Sequence, residues 1–133
     1  MQRPRTDDLA AWPLAALMVV SGVSHFTSPG YFRELVPSWL PARAAVVGVS
    51  GAADIAAGVL VAVPATRRTG ARATAALITA HLPAHLEPLR HRRTAQRAFD
   101  RPIGVAARVV VNLGYIGWAA AVARGTTDRS RTG

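Results

Sequence analysis

Three stretches of this chain are almost free of charge, and they leave room for one kind of fold. Residues 9–32 hold no Asp, Glu, Lys or Arg over 24 positions, residues 44–66 hold only Asp54 over 23, and residues 103–123 hold only Arg108 over 21. A helix rising about 1.5 Å per residue needs about 20 apolar residues to cross the roughly 30 Å hydrocarbon core of a bilayer. Each stretch is that long. What remains of the 133 residues is too short to wrap a soluble core around all three. The pattern predicts an all-α, polytopic membrane protein.

The charges that exist are segregated. The chain has 16 Arg and no Lys against 7 acids, a formal net charge of +9. Such a balance would suggest nucleic acid as a partner. Here the Arg residues fall in short connectors and tails between the apolar runs, where they can meet lipid headgroups. No zinc-finger spacing, RNA-binding signature or exposed basic helix accompanies them, so the expected partner is the lipid bilayer and not nucleic acid. The absence of Cys removes thiol–disulfide exchange, Fe–S ligation and c-type haem attachment from the chain's own chemistry.

The expected architecture is a four-transmembrane-helix bundle, with helices at residues 9–26, 42–63, 71–88 and 102–123. It forms a single membrane-embedded domain over 1–123, followed by a polar disordered tail at 124–133. Asp7 or Asp8 is available to cap the first helix. Those acids follow the basic start and no A-x-A cleavage site appears, so residues 1–26 read as a retained helix and not a signal peptide. Residues 31–41 are amphipathic, too short to cross, and bounded by prolines. They predict a short interfacial segment between helices 1 and 2, with Trp12, Tyr31, Trp39 and Trp118 as interfacial anchors. The third helix is the weakest span. Its charge-free part, 73–86, covers 14 residues, and Pro83 predicts a kink or break.

Charge does not orient this arrangement. Four crossings put Arg3, Arg5, Arg67, Arg68, Arg72, Arg124, Arg129 and Arg131 on one side, which is eight. They put Arg33, Arg43, Arg90, Arg92, Arg93, Arg97 and Arg101 on the other, which is seven. A re-entrant third helix would change the division to ten against five, and that alternative stays open.

Polar groups at membrane depth are costly and turn toward protein. Each span carries one polar stripe at helical spacing. The stripes are Ser21, Gly22 and His25; then Ser50, Gly51, Asp54, Ala57 and Gly58; then Thr74, His81 and His85; then Gly104, Arg108, Asn112 and Tyr115. They give a candidate buried polar core of His25, Asp54, His81, His85, Arg108 and Asn112. Small residues flank Asp54, as at a close helix contact. Asp54 and Arg108 are the charges deep within the spans, so the expectation is a buried ion pair between them. The depth mismatch of about 9 Å, at about 1.5 Å per residue, is left for the Arg side chain to cover. On that expectation, losing either residue is more damaging than replacing both. His81 and His85 share a helix face and form a possible metal edge, but no third ligand motif accompanies them. No metal site is assigned, and no nucleophile–base pair gives a catalytic residue.

These pieces together resemble the DoxX-like family of small four-helix bacterial membrane proteins over about residues 11–123. The resemblance rests on Gly22-Val23-Ser24-His25-Phe26-Thr27-Ser28-Pro29, Val36-Pro37-Ser38-Trp39-Leu40-Pro41 and Ser50-Gly51-Ala52-Ala53-Asp54-Ile55-Ala56-Ala57-Gly58. It continues through Pro64-Ala65-Thr66-Arg67-Arg68, Leu82-Pro83-Ala84-His85 and the spaced Arg108, Asn112 and Trp118. The chain departs from that family in having Asp54 in place of Glu, His85 in place of Asn and Asn112 in place of Gln. The resemblance implies a multi-pass protein of the bacterial cytoplasmic (inner) membrane, an accessory or anchor subunit of a quinone-linked redox system and not an enzyme by itself. No cofactor is expected beyond contact with a quinone. A redox protein and a second copy of the chain are the candidate protein partners. Two other readings of the polar core remain: a proton- or small-molecule-translocating protein using Asp54 and His81, and a structural protein whose polar core sets helix register.

Overall fold

In the computed structural model, residues 6–91 and 93–128 are described. Five α-helices and two short 3-10 turns account for most of them, with no strand among the described residues. Helix α1 spans Thr6–Thr27, α2 Pro29–Leu35, α3 Arg43–Ala62, α4 Arg67–Leu86 and α5 Pro102–Asp128. The 3-10 turns, Glu87–His91 and Ala98–Asp100, lie in the connector between α4 and α5.

Local chemistry accounts for most of the boundaries. Asp7 and Asp8 stand inside the first turn of α1, where they complement the positive end of the helix dipole, and so are not caps as expected. Ser28 leaves helical geometry at φ −132° because Pro29 follows it, and Pro29 then opens α2. The expected interfacial segment therefore begins two residues early, as a helix, and only its second half is an irregular strap through Pro37 and Pro41. Ala42, at φ 51°, takes the left-handed conformation that swings the strap into α3.

Three features correct the sequence expectation. Helix α4 starts at Arg67, not at residue 71, and the turn shortens to residues 63–66. Pro83 is exposed and the helix continues past it to Leu86, so the predicted break is absent. Helix α5 runs to Asp128, so the first five residues of the expected disordered tail are helical. The rest of that tail, 129–133, and residues 1–5 lie outside the described residues.

The four long helices alternate in direction. Helix α1 packs along α3, α3 on α4, α4 on α5, and α5 returns to touch α1, closing a ring. Helix α2 and the α4–α5 connector gather at one end, the connector end. The start of α1 and the end of α5 meet at the other: a β-carbon on Gly125 would lie 3.7 Å from Asp7 Oδ1. The Trp118 indole N–H also donates to the Ala10 carbonyl at 3.0 Å. Three of the long helices are apolar enough to cross a membrane, over Asp7–Thr27, Arg43–Ala62 and Pro102–Gly125. Helix α4 does not reach that level, since Arg67, Arg68 and Arg72 occupy its start and His81, Pro83 and His85 interrupt the rest.

Burial departs from that of a water-soluble protein outside a small apolar core. Large apolar side chains point outward, with Val49 and Ile103 exposed at 70% and 79%, while His25, Asp54 and Thr74 are buried. At the end opposite the connector, Leu14, Val61, Ala71 and Ala119 form a tight core, and Met18, Ala57 and Ile78 continue it toward the middle. Helices α1 and α3 approach most closely at Gly22 and Gly51. A β-carbon on Gly22 would lie 2.5 Å from the Gly51 carbonyl oxygen, and one on Gly51 would lie 2.7 Å from the His25 β-carbon. Beyond this contact the core opens.

Candidate functional site

A cavity of about 400 Å³ occupies the connector half of the helix ring. Helical spacing brings its polar wall together: Ser21 and His25 come from α1, Ser50 and Asp54 from α3, His81 and His85 from α4, and Asn112 and Tyr115 from α5. Phe32 and Leu35 of α2, with Pro37, Trp39 and Leu40 of the strap, cover it from above. The remaining lining is largely aliphatic. A mostly apolar chamber of this size with a few convergent polar groups has the make-up of a small-molecule site.

Ser21 organises the polar wall. Its hydroxyl donates to Asp54 Oδ2 at 3.0 Å, and its backbone carbonyl lies 2.8 Å from His25 Nδ1. A carbonyl can only accept, so Nδ1 carries the proton and Nε2 is the ring nitrogen left to face the cavity. The His25 ring stacks on Phe32 with centroids 3.9 Å apart and stands 6.1 Å from the His81 ring. Asp54 is 1% exposed, and its Oδ1 has no hydrogen-bond partner among the described residues. His25 and His81 line the same wall as Asp54. His85 Nδ1 is likewise buried without a partner. Such groups are rare in folded proteins, because each forgoes the hydrogen bond it had in water.

Arg108 does not pair with Asp54. Its Nη1 donates to the Tyr31 hydroxyl at 3.1 Å, Nη2 lies 3.6 Å from Asp100 Oδ1, and its guanidinium faces the Phe99 ring at 5.8 Å. The reason is depth. Arg108 sits under two turns from the start of α5, so the connector supplies a carboxylate nearer than Asp54, which lies mid-helix in α3. Asn112 donates to the Arg108 carbonyl at 2.8 Å and borders the cavity one turn below. The cavity wall thus brings together His25, Asp54, His81, His85 and Asn112, while Arg108 belongs to a neighbouring latch. With no shared partner, Asp54→Asn and Arg108→Gln should add in stability to within about 0.5 kcal/mol in a double-mutant cycle read by thermal unfolding. A coupling above about 1 kcal/mol would restore the ion pair.

The aromatic anchors divide. Trp12 and Trp39 are exposed, and Trp39 also borders the cavity. Tyr31 instead closes the latch: it accepts from Arg108, lies under the Arg97 guanidinium at 5.4 Å and meets Phe99 edge-on. Trp118 ties α5 to α1 through its indole N–H.

Sequence reasoning missed Arg67, which it placed among headgroup-binding residues of a turn. The side chain is buried, its Nη1 pairs with Asp8 Oδ1 at 2.8 Å, and Nε and Nη2 donate to the Val61 and Ala62 carbonyls at 3.0 and 3.4 Å. It caps the end of α3 while fixing the start of α1. The available signal was its position five residues after Ala62, just past the helix-ending Pro64.

Residues 14–123 match the family described as Domain of unknown function (DUF8561). The chain belongs to that family. The matched stretch takes in every cavity-lining residue and Arg67, and leaves out Asp8. No match was found among curated proteins or solved structures. In this DUF8561 chain, no three His, Cys, Asp or Glu side chains among the described residues are grouped to hold a metal ion.

Proposed function

We propose that the chain is an integral membrane protein that crosses the bilayer four times and serves as an accessory or anchor subunit of a quinone-linked redox system, its cavity receiving the quinone ring. The outward apolar and inward polar surfaces support the membrane setting. Helix α4 contributes the fourth crossing with its charge-free stretch 73–86, the exposed Arg68 and Arg72 reaching back to the interface at the end where Arg67 meets Asp8. The resemblance to DoxX-like proteins points the same way.

One observation carries the ligand reading: Asp54, buried and with one oxygen unpartnered, stands at the wall of an otherwise apolar chamber beside two imidazoles. Aliphatic walls suit a flat lipid-soluble ring, and the polar groups suit the oxygen atoms at its edge. Trp39 offers the test. In a Trp12→Phe/Trp118→Phe variant, duroquinone should quench the remaining indole saturably in detergent. Quenching that stays linear with quinone concentration would reject the ring site.

Asp54 and His81 lining one cavity support a second reading, proton or small-molecule translocation. That reading requires a pH-dependent flux in liposomes that Asp54→Asn abolishes without loss of folding.

A further inference from the structure

The polar wall has a specific deficit. Ser21 occupies Asp54 Oδ2 and His25 Nδ1, so Asp54 Oδ1 is left over, on a wall it shares with the His81 ring, whose centroid stands 6.1 Å from that of His25. A carboxyl group and an imidazole side by side can share one proton in two ways. If the carboxyl is ionised, its oxygen needs a donor while the imidazole N–H needs an acceptor. If the carboxyl holds the proton, the needs are exchanged. A carbonyl or ether oxygen only accepts and can serve one partner at most. An ammonium group only donates, and would add a cation beside two imidazoles. A hydroxyl donates and accepts at once, so it bridges the pair in either arrangement.

We propose that the cavity selects a lipid-soluble ring bearing a free hydroxyl, held as a bridge between Asp54 Oδ1 and His81, with Phe32, Leu35, Val47 and Ile78 around the ring. This rests on the reading of the cavity as a ring site and adds what that reading leaves open, the state of the ligand. For a redox-active ring, the reduced hydroxyl form is held in preference to the oxidised carbonyl form. His25, fixed by Ser21 and stacked on Phe32, sets the back of the slot.

The experiment compares two probes that differ only in the hydroxyl. The Trp12→Phe/Trp118→Phe protein in nanodiscs is loaded with duroquinone until Trp39 is quenched. The quinone is then displaced with 4-tert-butylphenol or with 4-tert-butylanisole, both expressed per bilayer volume. The phenol should displace at about one-tenth the concentration of its methyl ether, the effect of one well-made hydrogen bond to a buried polar pair. Two variants locate that preference. Asp54→Val replaces the carboxyl with an apolar group of similar size, and His81→Phe keeps a ring in place, so each retains a packed wall. In both, the ratio of phenol to methyl ether should fall to near unity. It is read at the duroquinone concentration that half-quenches Trp39 in each variant, because losing a group of the wall also weakens duroquinone itself.

Equal displacement by the two probes overturns the proposal and leaves the ring site standing, as would be the case if only water bridged the pair. A phenol preference unchanged in both variants also overturns it, because the hydroxyl would then be recognised elsewhere. Absence of saturable duroquinone quenching removes the ring site itself, and the proposal with it.

Discussion

Replacing Arg67 with methionine is expected to lower the midpoint of thermal unfolding in detergent by about 10 °C or more. The guanidinium is 3% exposed and meets three acceptors from two helices: Asp8 Oδ1, the Val61 carbonyl and the Ala62 carbonyl. The last carbonyls of a helix have no partner within it, so Arg67 supplies what α3 lacks. Hydrogen bonds from a charged donor contribute about 1.5–3 kcal/mol each when buried, and breaking a buried pair costs about 3–5 kcal/mol. Lysine should not substitute. Its compact ammonium cannot present the planar fork that spans a carboxylate and two carbonyls in different directions. Asp8→Asn should be milder, because the Asp8 side chain is 28% exposed and Arg67 keeps its two carbonyls. If Arg67→Lys melts with the wild type, a point charge suffices and the capping role is wrong.

The second large effect is steric. Gly51→Ala and Gly22→Ala should each destabilise by about 1–3 kcal/mol, the range for overpacking a tight interior. The added carbons would meet backbone oxygens, at 2.9 Å from Gly51 to the Gly22 carbonyl and 2.5 Å in the reverse direction. Backbone cannot swing aside as a flexible side chain can, so α1 and α3 must part. Gly48 on α3 and Gly114 on α5 have nothing within 4 Å of an added β-carbon. There Ala should be neutral or stabilising by up to about 1 kcal/mol, through helix propensity alone. Gly51→Ala carries a second signature. It crowds the His25 β-carbon, so it should also weaken duroquinone quenching of Trp39. Thermal unfolding of the four variants distinguishes a tight contact from a general intolerance of change.

Three of the four long helices were legible because each coincides with an almost uncharged run long and apolar enough to cross a bilayer. The stripes were legible for a related reason. Helical periodicity fixes which residues share a face, so Ser21 with His25 and His81 with His85 could be grouped before any packing was known. Periodicity does not say which face meets which. Asp54 and Arg108 were matched by charge, yet the structure gives Asp54 a serine 33 residues away and gives Arg108 a tyrosine and an aspartate from the connector. Connector residues look like solvated loop in a sequence, and nothing in their spacing shows Asp100 or Phe99 turning back toward α5. Arg67 was missed because an Arg-Arg pair beside a proline resembles an interfacial turn. Of the kink or break expected at Pro83, the break is absent: an exposed proline near a helix end removes one hydrogen bond without ending the helix.

The meeting of the first turn of α1 with the last turns of α5 also makes the chain a candidate for circular permutation. Asp7 and Gly125 are close enough for a short peptide to join the two helices without crossing the ring. New ends could be opened in the connector between the two 3-10 turns, where Thr94, Gln96 and Arg97 are exposed. Every packed helix pair would then keep its partner, while the order of synthesis would change: α5 would emerge first and α4 last. Such a rearranged chain would separate what the packing requires from what the order of insertion imposes.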